Sequence, residues 1–98
     1  MEKNEILKLL ESKMPYLQEK YAVSSLALFG SYSRGDQQEG SDIDILVDFL
    51  KPVSLFLLTY LEDYLSELLS QKVDLVPKNS LKERLRPIIL KECINVPT

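Results

Sequence analysis

Ninety-eight residues, 45% hydrophobic and 28% charged, are expected to form one domain, residues 1–98, around a single modest core. A formal net charge of -3 and a pI near 4.9 disfavour direct nucleic-acid binding, which calls for a basic face, and the lack of histidine removes His-based catalysis and His metal sites. One cysteine, Cys93, allows no internal disulfide and fits a reducing cytoplasm; no apolar stretch reaches membrane-spanning length, and the opening Met-Glu-Lys-Asn-Glu has no signal-peptide character.

Residues 3 to about 20 read as a helix. Ile6, Leu10, Met14, Leu17 and Tyr21 recur at helical spacing and make one apolar stripe, with Pro15 expected to bend or interrupt it. Residues 24–29, Ser-Ser-Leu-Ala-Leu-Phe, read as a short strand covered on both faces and stopped by Gly30. Ser31 to about Gln37 then reads as a short helical turn. A strand that stops at Gly30-Ser31 and opens a helix directs free backbone N–H groups at whatever sits there, and it favours an anion such as phosphate. Arg34 falls one turn later, where its forked guanidinium suits phosphate oxygens. The plainer alternative is a surface arginine paired with Asp36 or Glu39.

After the polar loop 37–41 comes a second strand, Asp42 to Phe49. Ile43, Ile45, Val47 and Phe49 form one face, and Asp42, Asp44, Leu46 and Asp48 form the other. Asp42 and Asp44 therefore point the same way, roughly 6–7 Å apart along the strand. Like charges aimed at one spot repel unless something positive sits between them, and a divalent cation is the usual answer. A phosphate cradle beside paired metal carboxylates is equipment for phosphoryl or nucleotidyl transfer. Asp48 lies farther along the strand and reads as a solvated or structural carboxylate.

Lys51-Pro52 breaks the strand, and Ser54 is expected to cap a long helix running to about Ser70. Leu57, Leu58, Leu61, Tyr64, Leu65, Leu68 and Leu69 cluster on its broad apolar face. Phe56 and Tyr60 fall outside that stripe. They are either an exposed partner-binding patch or a pair covered by a neighbouring loop. Residues 72–76 read as a third strand ended by Pro77. Asp74, a charged residue in that short apolar strand, would be costly to bury unpaired, and it can join Asp42 and Asp44 if strand three lies beside strand two. Ser80-Leu-Lys-Glu83 fits a capping box, so a helix is expected there, broken or restarted at Pro87. Lys82, Arg84, Arg86 and Lys91 read as a solvated basic face or an electropositive rim. Cys93 reads as a small buried apolar residue, and Ile94 to Val96 as a last edge strand.

Gly30-Ser31, ten residues, then Asp42-Ile43-Asp44 resembles the signature of the DNA polymerase β-like nucleotidyltransferases. In its filled form, GSYSRG followed by SDIDILV, it looks most like the minimal nucleotidyltransferase (MNT) domains, the antitoxin halves of HEPN–MNT pairs. The later SLFLLTYLEDYLSELLSQKVDLV and LKERLRPIILKECINV look like that family's middle and tail. The resemblance implies an α+β or α/β fold: a small mixed sheet of three to four strands with helices mainly on one side. It implies two Mg²⁺ ions on Asp42, Asp44 and Asp74 as the catalytic and metal residues, with ATP held by Gly30, Ser31, Arg34 and Ser41. It also implies transfer of AMP to a tyrosine hydroxyl of a HEPN ribonuclease toxin, which would silence the toxin. The 98 residues carry no second domain to grip a base or primer, as expected of a minimal enzyme whose acceptor arrives on a partner protein. A steric antitoxin that binds through Phe56 and Tyr60 without catalysis is the alternative, and homo- or hetero-oligomers both stay open.

Overall fold

The apolar stripe of the first segment becomes the buried side of α1 (Lys3–Tyr21) in the computed structural model, which describes residues 1–98. Ile6, Leu10, Met14 and Leu17 are buried, and Tyr21 packs against the core's edge. The expected interruption at Pro15 does not occur. Pro15 lies on the exposed side of the helix, so the carbonyl of Glu11, which loses its partner there, stays within reach of water.

The chain continues through β1 (Val23–Phe29), α2 (Ser31–Arg34), β2 (Ile43–Phe49), α3 (Leu55–Leu69) and β3 (Val73–Pro77). A 3₁₀ turn (Lys78–Ser80), α4 (Arg86–Glu92) and β4 (Ile94–Asn95) complete it. The strands lie in the order β3-β2-β1-β4. β1 runs antiparallel to both β2 and β4, and β2 runs parallel to β3. A parallel pair needs a crossover, and α3 supplies it. The result is a mixed four-stranded α+β sheet, within the expected three to four strands, with α1 and α3 packed on one side. Ile43, Ile45 and Val47 meet Leu61, Leu65 and Leu69 there. Each such side chain contributes roughly 1.5–3 kcal/mol by leaving water.

Ser54 caps α3 as its residue type predicts, its side chain accepting from the Leu57 N–H at 3.1 Å. α3 also secures the outer edge of β3. The Val73 N–H donates to Ser66 Oγ at 3.0 Å, and the Leu75 N–H donates to Glu62 Oε2 at 2.9 Å. Those bonds occupy amides that an open sheet edge would leave free.

The capping box at Ser80–Glu83 is not used. Ser80 Oγ instead donates to the Pro77 carbonyl at 2.8 Å, and Glu83 sits in a turn. The helix starts at Arg86, with Pro87 in its first turn. A start at Ser80 would have put Pro87 inside the helix, where its missing N–H and its ring oppose helical bonding. Cys93 is half-buried rather than buried. It ends α4, with Sγ 3.4 Å from the Leu90 carbonyl. Pro77 lies inside β3 rather than beyond it.

Candidate active site

Alternation along β2 buries Ile43, Ile45 and Val47 and turns Asp44, Leu46 and Asp48 to the opposite face of the sheet. Asp42 precedes the strand and shares that face. On β3, Asp74 stands exposed between buried Val73 and Leu75, and the parallel register pairs it directly with Asp44. Three carboxylates from two adjacent strands thus occupy one end of the sheet's less apolar face. Asp48 lies away from them, exposed, with Oδ1 accepting from the Phe49 N–H at 3.1 Å.

Gly30 closes the site from β1. Its φ of 72° and ψ of −150° belong to a region only glycine adopts readily. A side chain there would collide with Asp44 Oδ2, so the turn lies directly against that carboxylate. In α2, the N–H groups of Ser31 and Tyr32 have no intrahelical acceptor. The Gly30 carbonyl takes the N–H groups of Ser33 and Arg34 at 3.1 and 3.2 Å and the Ser33 hydroxyl at 2.9 Å. Ser41 closes the preceding loop: its Oγ accepts from the Gln38 N–H at 2.9 Å.

Burial, and then the neighbouring charges of Asp74 and Asp42, push the Asp44 carboxyl above its ordinary value, while Arg34 pulls it back. Arg34 is committed elsewhere. Its Nε donates to Asp36 at 3.1 Å and its Nη1 to Glu92 at 3.2 Å. The surface-arginine alternative named Asp36 correctly. It missed Glu92, a partner 58 residues away. Lys72, also missed, stands 3.8 Å from Asp42 Oδ2. Neither partner carries a local sequence signal, because both contacts are made by the fold.

The carboxylates do not converge on one point as they stand. Neighbouring strands lie about 4.8 Å apart, however, so side-chain rotation suffices to bring Asp44 and Asp74 onto a common ion. Hard oxygen ligands, mutual repulsion on Asp44 and the lack of a basic side chain paired to Asp44 or Asp74 fit a divalent cation such as Mg²⁺. The site is an open shelf. The largest cleft, about 500 Å³, lies at the far end of β2, between Phe49, Lys51, Leu55 and Leu58. Beside it, Leu55, Phe56 and Tyr60 are 80%, 75% and 63% exposed, so no loop covers the aromatic pair.

A turn pressed against paired strand carboxylates, on a mixed sheet backed by two helices, is an arrangement suited to nucleotidyl transfer. Residues 10–96 match the nucleotidyltransferase domain family, and the chain belongs to that family. It is 44% identical over 92 residues to the protein adenylyltransferase MntA of Thermococcus cleftensis, covering 94% of this chain and 93% of that one. It is 54% identical over 78 residues to a candidate protein adenylyltransferase of Methanocaldococcus jannaschii, covering 80% of each. Among solved structures, a candidate minimal nucleotidyltransferase superposes with a TM-score of 0.78 at 31% identity, covering 100% of this chain and 97% of that one. A toxin–antitoxin structure with AMP-PNP matches at 0.72 and 30% identity, covering 99% and 73%. The MNT antitoxin complexed with a tri-AMPylated HEPN toxin of Shewanella oneidensis matches at 0.62 and 27% identity, covering 97% and 68%. No helix is long and apolar enough to cross a membrane.

Proposed function

We propose that residues 1–98 act as one minimal nucleotidyltransferase domain that moves AMP from ATP to a tyrosine hydroxyl of a HEPN toxin in the cytoplasm, and so acts as its antitoxin. The observation that carries the reading is the register pairing of Asp44 with Asp74, set against the Gly30 turn. The names of the relatives supply the acceptor class: protein adenylyltransferases, and an antitoxin bound to an AMPylated toxin.

In this reading the N–H groups of the Gly30-Ser31 turn take the β- and γ-phosphates, with Ser41 at the same rim. Arg34 exchanges a carboxylate partner for phosphate oxygen; exposed ion pairs of this kind hold weakly. Asp42, Asp44 and Asp74 would hold two Mg²⁺ ions, which neutralise charge on the phosphate oxygens and favour ionisation of the acceptor. The acceptor oxygen forms a bond to the α-phosphorus, the bond from that phosphorus to the bridging oxygen breaks, and pyrophosphate leaves. The acceptor's proton passes to solvent by way of the carboxylate cluster. Leu55, Phe56 and Tyr60 offer the partner an apolar face.

Intact-protein mass spectrometry of the HEPN partner, incubated with this chain, ATP and Mg²⁺, tests the reading. A gain of one or more AMP units, absent with the Asp42→Asn/Asp44→Asn variant, is expected. A tight complex without mass gain would leave only a steric antitoxin.

A further inference from the structure

One side chain joins the three segments that build the site. Gln71 lies between α3 and β3, three residues before Asp74. Its Nε2 donates to Tyr32 Oη at 2.6 Å and to the Ser41 carbonyl at 3.3 Å. The carbonyl can only accept, which fixes the amide's orientation: nitrogen toward the site, Oε1 toward the N-terminal ammonium 3.5 Å away. Both Nε2 hydrogens are therefore used, one on each of two segments. Tyr32 is buried and directly follows the Gly30-Ser31 turn. Ser41 directly precedes Asp42. The chain between them passes through Gly35 and Gly40, at φ 80° and 85°, in a polar loop with little packing of its own. Such a segment has many conformations to lose. The β1–β2 ladder pairs Phe29 with Asp44 and so holds Gly30 beside that carboxylate, and the bond from the Ile43 N–H to the Lys72 carbonyl, 2.9 Å, aligns β2 with β3, but neither reaches Tyr32 or Ser41.

We infer that Gln71 is a positioning residue: it holds the spacing between the Ser31–Arg34 helix and the Ser41-Asp42 entry to the carboxylates, which the strand ladders leave open. This role rests on the transfer reading above. A phosphate chain gripped at one end by the turn and at the other through the carboxylates tolerates little change in that spacing. A misplacement of about 1 Å in such a site costs about a hundredfold.

Amide hydrogen exchange on the metal-free full chain tests the coupling directly. In Gln71→Leu, the hydrogen-bonded amides of 33–36, Ser41 and Ile43 should exchange about five- to tenfold faster, the effect of one lost net hydrogen bond, while Leu26 and Leu28 in β1 keep wild-type rates. Tyr32→Phe removes only one of the two bonds and should loosen 33–36 alone. Uniform acceleration across the sheet would make Gln71 an ordinary stabilising residue, and unchanged exchange in both segments would remove the coupling; either overturns the inference. The second readout is the Kd for AMP-PNP with Mn²⁺, expected to weaken about five- to tenfold in Gln71→Leu. An unchanged Kd beside local loosening would also overturn the positioning role. If the wild type itself binds no AMP-PNP, the transfer reading fails, and the exchange pattern still decides whether Gln71 joins these segments.

Discussion

Gly30→Ala attacks the closest approach in the site. At φ 72° and ψ −150°, an alanine would sit in a region essentially reserved for glycine, at about 1–3 kcal/mol. Its Cβ would lie 3.1 Å from Asp44 Cγ and overlap Oδ2, forcing that carboxylate off its rotamer at about 0.5–1.5 kcal/mol more. A combined loss near 3 kcal/mol lowers the melting temperature of a domain this size by roughly 12–24 °C. Calorimetry of the metal-free protein reads that shift. Because Asp44 is displaced, AMP transfer should also fall by about a hundredfold or more at temperatures where the variant is folded. The double variant Gly30→Ala/Asp44→Ala separates the two causes: relief of the overlap should return about 1 kcal/mol, and the backbone term should remain. A melting point within about 2 °C of wild type would refute both the strained backbone and the collision. Zero coupling in the double-variant cycle would refute the collision alone.

Asp44→Asn should raise the melting temperature of metal-free protein at neutral pH while abolishing transfer. The Asp44 carboxyl titrates above its unfolded value of 3.8, so the folded state binds this proton more tightly. Stability from this group is complete below that value and is lost as pH rises through the folded-state value. The gap between variant and wild type should open over that acid window and then level off; a gap that narrows with rising pH would contradict the assignment. Glu62→Ala strips the Leu75 N–H of its acceptor and should cost about 1–3 kcal/mol, largely recovered in Glu62→Gln, as read by urea unfolding. Phe56→Asp with Tyr60→Asp should abolish partner binding in titration calorimetry, with stability changed by no more than about 0.5 kcal/mol per site. A large stability loss would mean that these rings are packed.

The site's halves were readable to different depths. Asp42 and Asp44 could be placed because strand alternation alone puts them on one face, and Gly30 because a strand cannot continue through it unchanged. Asp74 stood out as the one carboxylate in a short, mostly apolar run, yet its place opposite Asp44 depends on which strand β3 joins, which no local pattern encodes. The false start at Ser80 has the same root. A serine hydroxyl can accept from a later N–H or donate to an earlier carbonyl, and here Pro87 decided between them by excluding a helix that began so early. Gln71, Lys72, Glu62 and Glu92 act across 13 to 70 residues of chain, so nothing in their immediate neighbours marks them.

The contacts of Arg34 pose the sharpest test of the phosphate assignment, since the structure gives its guanidinium to Asp36 and Glu92. With Arg34 48% exposed and Glu92 26%, their pair is still partly open to the water and salt that weaken it. A phosphate offers the same fork a more highly charged partner, so leaving Glu92 is a small obstacle. Glu92→Gln keeps the side chain's size and removes its charge. AMP-PNP should then bind equally well or up to about fivefold tighter, because the guanidinium loses a competitor. Arg34→Lys, which keeps the charge but loses the fork, should bind more weakly than wild type in either background. If Glu92→Gln instead weakens binding as much as Arg34→Lys does, Glu92 braces the arginine rather than competing for it. The bound state would then retain the pair seen here, and partner exchange at Arg34 would be wrong.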